Sequence, residues 1–178
     1  IVRHSEMMPQ FHSLKKKIIN YNNIFIGLVI FAVGLFKKVG LADTFAPYAT
    51  AGFNNSADLN LLEGWATSMS YTLQLYFDFS GYTDMAIGAA LLFNIKLPHN
   101  FNSPYKATGM INFWKRWHIS LTNFITTYVY TPILRRLMPI TFHKAMFATL
   151  VAFFIAGFWH GASWMFIIFG VLNGLGIV

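Results

Sequence analysis

The sequence lacks cysteine altogether and is poor in charged side chains. Without cysteine there is no disulfide framework, no thiolate nucleophile and no Cys-rich metal site. Only 11% of the 178 residues are charged, whereas soluble domains carry about 25%. In their place the chain is 56% hydrophobic and 18% aromatic. This composition excludes an ordinary soluble domain and predicts an all-α, polytopic membrane protein.

Acidic residues are scarce, and 13 basic residues against six acidic ones give a formal net charge of +7. An excess of this kind can indicate nucleic-acid binding. Here, however, the basic residues cluster at the ends of apolar runs, at 15–17, 37–38, 115–116 and 135–136. Loops that flank membrane helices carry such clusters, so we expect contact with membrane lipids and no nucleic-acid partner.

Apolar runs alternate with polar stretches, and the first run, 21–36, is short against the roughly 20 residues that a membrane helix needs. We predict membrane helices in four runs: 21–36 with 39–42 as an extension, 61–93, 145–159 and 164–178. Turn-forming residues predict connecting loops over 43–60 and 94–109, and residues 1–20 are expected to form a loop or a surface helix. Because 61–93 is too long for one straight span, an interruption is predicted at Gly81.

Residues 110–136 mix aromatic and charged side chains. They are too polar for a lipid-facing span and too aromatic for a soluble loop, so we predict helices that lie at the interface or re-enter the protein. The chain starts without a methionine and ends inside an apolar run. We therefore expect residues 1–178 to be an interior fragment of a single, larger membrane domain, in which 110–136 carries the first of two histidine motifs.

His160 is the strongest candidate for chemistry. It follows a long apolar run in the segment Trp159-His160-Gly161, with Gly157 one turn earlier and Trp164 shortly after. The glycines leave room for a substrate or another helix, and the tryptophans can exclude water. A neutral imidazole in such surroundings can take a proton from a hydroxyl nucleophile near neutral pH, which favours acyl transfer. The alternative is a structural histidine that bonds a neighbouring backbone group.

A second histidine, His118, lies among aromatic and cationic neighbours. Trp114, Lys115, Arg116 and Trp117 precede it, and at helical spacing Trp114 and His118 would share a face. One interpretation is a belt in which Trp, Lys and Arg anchor to lipid headgroups. The other is a second polar group at the site, where His118 orients the acceptor or the base and the cations attract a phosphate or carboxylate.

Two acidic residues inside an apolar run form the third cluster. Asp78 and Asp84, with Ser80 between them, must face protein or water, since a charge in hydrocarbon costs about 2.5–3.5 kcal/mol on insertion scales. We expect buried ion pairs with Arg116, Lys115 or another cation in preference to direct catalysis, which makes these three residues supporting ones. No His-Glu-x-x-His spacing or Cys/His cluster occurs, so no metal site is predicted.

Four segments, taken in order, form a recognisable set: Gln74-Leu75-Tyr76-Phe77-Asp78-Phe79-Ser80-Gly81-Tyr82-Thr83-Asp84, Phe101-Asn102-Ser103-Pro104-Tyr105, Phe113-Trp114-Lys115-Arg116-Trp117-His118-Ile119-Ser120, and Trp159-His160-Gly161-Ala162-Ser163-Trp164. The set resembles the membrane-bound O-acyltransferase (MBOAT) family, in the branch of the bacterial alginate O-acetylation proteins. That resemblance implies a ring of transmembrane and re-entrant helices, with His160 as the catalytic histidine and His118 as the second histidine of the site. Where that branch has an Arg-Asp pair, this chain has Thr126-Thr127, so its grip on the donor side is expected to differ.

The resemblance also implies a function. It points to a multi-pass enzyme of the bacterial inner membrane that moves an acyl group, acetyl above all, to hydroxyls of an exported polysaccharide such as alginate. We expect no bound cofactor, acetyl-CoA or another acyl thioester as donor, and a periplasmic or extracellular transferase as partner. The residues alone leave two alternatives: a proton-coupled transporter with Asp78, Asp84, His118 and His160 as relay, and an inactive scaffold of an export complex.

Overall fold

A computed structural model of the chain describes residues 1–13 and 18–178. Every regular element in these residues is helical, which confirms the predicted all-α class. The lysines at 15–17, predicted to flank a membrane helix, lie outside the described residues. The chain divides into two compact units, one of residues 2–99 and one of residue 1 with residues 100–178.

The first unit begins with a short helix, α1 (His4–His12), and continues with a long helical run. The run consists of α2 (Tyr21–Leu35), a π-helical segment (Phe36–Ala42) and α3 (Asp43–Asn54). Residues 43–54 are therefore helical, and the predicted loop over 43–60 is wrong for most of its length. The sequence misled because Pro47 lies inside α3, as its fifth residue, and Gly52 packs against Thr67. Neither residue forms a turn here.

The second long helix of this unit is α4 (Leu61–Leu92), which has 32 residues. Its start is fixed by a capping box, in which Asn60 accepts from the backbone of Glu63 and Glu63 accepts from the backbone of Asn60. At about 1.5 Å per residue it is roughly 48 Å long, which exceeds the hydrocarbon core of a bilayer. The helix is continuous through Gly81, so the predicted interruption there is wrong.

Glycine pairs bring α2 and α4 into backbone contact. A methyl group on Gly34 would lie 2.7 Å from the carbonyl oxygen of Gly81, and one on Gly81 would lie 2.7 Å from that of Gly34. The corresponding distances between Gly27 and Gly88 are 2.7 and 2.5 Å. Only residues without a Cβ allow two helices to approach this closely. Gly81 is thus a packing residue rather than a helix breaker.

The unit of residues 100–178 consists of short helices followed by a helical hairpin. The short elements are a 3-10 turn (Pro104–Lys106), α5 (Met110–Trp114), α6 (Ile119–Ile125), a π-helical segment (Thr126–Tyr130) and α7 (Thr131–Arg136). The prediction that residues 110–136 form helices is thereby confirmed. The hairpin is formed by α8 (Phe142–His160) and α9 (Trp164–Ile177), at the two predicted C-terminal apolar runs.

Among the described residues, two helices are long and apolar enough to cross a membrane. By length and composition these are the run Tyr21–Asn54 and α8, while α9 has the same apolar character over a shorter length. Within the described chain few of their side chains are buried, which leaves apolar faces for lipid or for further protein. The other predicted spans are also helices, but α4 carries Glu63, Asp78 and Asp84 along its length.

The glycine contacts predict a selective loss of stability. In Gly34→Ala or Gly81→Ala the new methyl group would push against backbone atoms, and we expect a cost of about 1–3 kcal/mol from overpacking. The measurement is the thermal unfolding midpoint of the purified full-length protein in detergent, which should fall. Gly64→Ala is the matched control on α4, since an added methyl there meets no atom within 4 Å. Equal midpoints for Gly34→Ala and Gly64→Ala would contradict the packing role.

Candidate active site

His160 is the last residue of α8, where the chain turns into α9. Its ring stacks on Phe166 with 6.1 Å between centroids and 27° between planes, and it meets the edge of Trp159 at 5.1 Å. Trp159 and Trp164, predicted to exclude water, are 56% and 77% exposed within the described chain. The aromatic neighbour from α9 is therefore Phe166 and not Trp164.

Two glycines make this arrangement possible, as the sequence predicted. A methyl group on Gly161 would lie 2.8 Å from the Phe166 ring, so the glycine leaves room for that ring beside His160. Gly157 meets Gly170 of α9, where an added methyl would lie 3.0 Å from the Gly170 Cα. The room that the glycines provide is used by α9, which fixes the position of the His160 imidazole at the helix end.

A pocket of about 520 Å³ opens beside His160. This volume is within the range of ligand sites, which is about 300–1,000 Å³. Its apolar walls are Ile111, Trp114, Leu121, Ile125, Ala152, Phe153, Ala156, Gly157, Phe169, Gly170 and Ile177, and its polar side chains are Lys115, Thr122, Asn123, Thr126, Tyr130, Thr149 and His160. An imidazole at the edge of a largely apolar pocket suits a proton transfer to or from a bound hydroxyl.

The pocket unites only part of the predicted site. Of the candidate residues, Trp114, Lys115 and His160 line it. Thr126 lines it as well and belongs to a π-helical segment. Such segments are frequent at functional sites. The walls include no Asp or Glu from the described part of the chain.

His118 is buried, with 7% of its surface exposed, and it precedes the first residue of α6. Its ring lies 6.5 Å from that of Trp159, the neighbour of His160. The backbone of His118 is left-handed, with φ 44° and ψ 55°. Because the chain turns after α5, Trp114 and His118 do not share a helix face, and that prediction is wrong. A left-handed conformation is costly for a residue other than glycine, so the surrounding structure must hold it.

Asn100 holds the turn at His118. Its carbonyl oxygen accepts from the Ile119 backbone N–H at 2.9 Å, and its Oδ1 accepts from that of Ser120 at 3.1 Å. These are two of the free N–H groups at the start of α6, where the His118 side chain makes no cap. Asn100 therefore caps the helix from a distant part of the chain.

Arg116 is tied into the same turn. Its Nε donates to Asn112 Oδ1 at 2.5 Å and its Nη1 donates to the carbonyl oxygen of Asn102 at 3.1 Å. The Arg116 carbonyl oxygen in turn accepts from the Asn102 backbone N–H at 2.9 Å. These bonds occupy the guanidinium within the protein, so Arg116 supports the His118 turn.

The tryptophans before His118 have packing roles. Trp117 stacks on Phe113, with 5.6 Å between centroids, and meets the edge of Phe101 at 5.0 Å. Trp114 packs edge-on against Phe153 of α8 at 5.3 Å. Trp114 thereby attaches α5 to the helical hairpin and closes one wall of the pocket.

The acidic cluster lies in the unit of residues 2–99, whereas both histidines lie in the other unit. Asp84 pairs with Lys37 at 2.6 Å, and Lys38 Nζ lies 2.8 Å from Asp78 and 2.7 Å from Asp43. The predicted ion pairing is confirmed with other cations, Lys37 and Lys38, but the predicted burial is wrong, because the paired side chains are 26% exposed for Lys37 and Asp84 and 40% and 50% exposed for Lys38 and Asp78.

Ser80, the third predicted supporting residue of that cluster, is 1% exposed. Its hydroxyl has no hydrogen-bond partner among the described residues. It lies next to Gly81, where α4 crosses α2.

Burial decides the protonation of His118. It lowers the pKa of the imidazole to about 4, from an ordinary value of 6.5. At neutral pH His118 is therefore uncharged, with one ring nitrogen as donor and one as acceptor. Such a group can orient a hydroxyl or a neighbouring base. Across residues 1–13 and 18–178, no three His, Asp or Glu side chains are grouped closely enough to hold a metal ion.

The family of the chain follows from its whole length. Residues 1–178 match the sequence profile of MBOAT, the membrane-bound O-acyltransferase family. The chain therefore belongs to this family of membrane proteins, which confirms the resemblance of its four segments.

Individual relatives share the same stretch. The chain is 52% identical over 178 residues to the peptidoglycan O-acetyltransferase of Helicobacter pylori, covering 99% of this chain and 33% of that protein. It is 36% identical over 175 residues to the probable alginate O-acetylase AlgI of Azotobacter vinelandii, covering 98% and 34%. The teichoic acid D-alanyltransferase of Streptococcus thermophilus is 34% identical over 113 residues, which is 61% of this chain and 27% of that protein. The chain spans about a third of the length of the curated relatives that it matches.

The cap at α6 predicts how Asn100 responds to substitution. Asn100→Ala removes the acceptor for the Ser120 N–H and should lower stability by about 1 kcal/mol, the usual value of a helix cap. Asn100→Asp keeps an oxygen in the same place and should retain most of it. Thermal unfolding of the full-length variants in detergent checks this, and an Asp variant as unstable as the Ala variant would contradict the capping role.

The buried His118 predicts a pH dependence of stability. Because its pKa is lower in the folded than in the unfolded state, the unfolded state binds more protons between about pH 6.5 and 4. Stability should be highest above pH 6.5 and fall on acidification through this window, by on the order of 2 kcal/mol from this group. The measurement compares unfolding midpoints at pH 7.5 and 5.0. In His118→Asn, which cannot titrate, the decrease should be smaller, and an identical decrease would refute the assignment.

Proposed function

We propose that the full-length protein transfers an acyl group, acetyl in the first instance, from a thioester to hydroxyls of an exported polysaccharide. The observation that carries this proposal is His160 at the edge of a pocket of about 520 Å³ in a chain of the O-acyltransferase family. The names of the relatives supply three acceptor classes: peptidoglycan, alginate and teichoic acid. Because the chain is 52% identical to the peptidoglycan enzyme, the acceptors that we propose include peptidoglycan as well as alginate.

In the proposed reaction, His160 acts as general base. The imidazole takes the proton of the acceptor hydroxyl as the oxygen attacks the thioester carbonyl, and the resulting imidazolium returns that proton to the departing thiolate. An O–C bond forms and a C–S bond breaks, so no further reactant is needed. A thioester carbonyl is already activated, which leaves placement and exclusion of water as the protein's main contribution.

His118 is proposed as an orienting group. It is neutral at pH 7, held in a fixed turn, and close to the ring of Trp159, which also contacts His160. A rigid neutral imidazole can fix an acceptor or a water without competing for its proton. Trp114 at the pocket wall and Arg116 in the turn are proposed as supports of the site.

The cellular setting is part of the proposal. We infer a multi-pass protein of the bacterial inner membrane, built as a ring of transmembrane and re-entrant helices to which this chain contributes a part. Acetyl-CoA or another acyl thioester is the proposed donor, and a periplasmic or extracellular transferase is the proposed partner. The two apolar helices that can cross a bilayer support the membrane location.

Replacing His160 tests this function. In the purified full-length protein in detergent, His160→Ala should reduce thioester consumption and glycan acylation by about 10²–10⁴-fold, the contribution of a positioned general base. The readouts are release of free thiol from acetyl-CoA and ester formation on an added glycan. His143→Ala is the matched control, since His143 lies at the opposite end of α8 and outside the pocket.

Two results would contradict the proposal. One is a His160→Ala variant, folded as judged by its unfolding midpoint, that keeps activity within a few fold of the wild type. The other is a wild-type protein that consumes no thioester in detergent and instead moves an unmodified solute across sealed vesicles in response to a pH difference. The second result would favour the proton-coupled transporter.

A further inference from the structure

Charge is divided unevenly along the chain. All six acidic residues lie before residue 100, and residues 100–178 contain six Lys or Arg and no Asp or Glu. The unit that holds both histidines therefore has no carboxylate of its own to neutralise its cations. Each of these cations must be solvated, bonded to neutral groups, or paired with an anion from outside residues 100–178.

Lys115 differs from the other cations of this unit in its position. It is the one Lys or Arg side chain that the described chain contributes to the pocket beside His160. Arg116 is already bonded to Asn112 and Asn102, and Lys144 donates to the carbonyl oxygen of Pro139 at 3.1 Å. The Lys115 ammonium makes no hydrogen bond and no ion pair with residues 1–13 or 18–178.

Lys115 also lies between two cavities. A second pocket, of about 490 Å³, is lined by Lys115 and Ile111 together with Thr108 and Asn112. Lys115 and Ile111 thus form a wall common to this pocket and to the pocket of His160. Lys115 is exposed, and a group that it binds would lie beside the pocket that His160 lines.

We propose that Lys115 binds a phosphate or carboxylate group of a substrate whose reacting end lies at His160. This inference rests on the proposed function and names the chemical class of one of its substrates. A lysine ammonium is a compact charge with three donors, so it accepts either anion without the planar match that arginine requires. The anion can belong to the acyl donor, as the phosphates of a coenzyme thioester, or to the acceptor, as a carboxylate of an acidic glycan.

The test compares charged and neutral substrates in the full-length enzyme. Acetyl-CoA and the neutral thioester S-acetyl-N-acetylcysteamine are the donors, and a mannuronate oligosaccharide and a neutral chitin oligosaccharide of equal length are the acceptors. In Lys115→Gln we expect KM to rise about five- to tenfold for the charged member of one pair, with kcat nearly unchanged, because a charge-assisted contact is lost. The pair that responds identifies the donor or the acceptor as the source of the anion.

Two controls separate the charge from its surroundings. Lys115→Arg keeps the charge and should stay within about twofold of the wild-type KM. Lys106→Gln removes an exposed cation of the same unit that lies outside both pockets, and it should change no KM. Added salt should raise the affected KM in the wild type but not in Lys115→Gln.

Equal KM changes for charged and neutral substrates, or no change for any of them, would overturn the anion site. That result is distinct from a failure of the proposed function, in which the wild type itself consumes neither thioester with any acceptor.

Discussion

Helices that face lipid on their outer surfaces gain no hydrophobic free energy from pairing, so close contact between their backbones must hold them together. In this chain glycine provides that contact in both units. The pairs Gly27–Gly88 and Gly34–Gly81 join α2 to α4, and Gly157–Gly170 joins α8 to α9. The chemistry-bearing side chains depend on these contacts. The contacts between α2 and α4 bring Lys37 and Lys38 to the carboxylates of α4. The contact between α8 and α9 places Phe166 against His160.

The two histidines are supported in different ways, although both belong to the unit of residues 100–178. His160 is positioned by the packing of a helical hairpin, with its ring at a helix end beside an open pocket. His118 is positioned by hydrogen bonds from Asn100 to the first turn of α6, which hold it in a left-handed conformation. A ring that is buried and uncharged is suited to orientation, whereas a ring that lines a pocket is suited to proton transfer. The difference in support thus follows the difference in proposed role.

The sequence predicts most helices and the position of His160 correctly, because apolar runs and a motif near the end of such a run are local signals. The sequence-based prediction fails where glycine and proline lie inside continuous helices. Pro47 and Gly81 suggest helix breaks that the structure does not contain. The spacing between Gly27 and Gly34 equals that between Gly81 and Gly88, and this match is a sequence signal for two helices that pack together. Asn100 carries no such signal. Its role depends on a contact with residues 119 and 120, and a single sequence does not record which distant segments meet.

Residues 100–178 contain no Asp or Glu, so any carboxylate that orients His160 must come from outside this part of the chain. In a Ser-His-Asp triad, a buried carboxylate orients the histidine and stabilises the imidazolium that forms. Within residues 100–178, His160 contacts the rings of Trp159 and Phe166 and lies at the end of α8. A base of this kind suits an acyl donor whose carbonyl is already activated, since less of the barrier must then be removed by charge stabilisation. A thioester, the donor class that we propose, meets that condition better than an oxygen ester or an amide does.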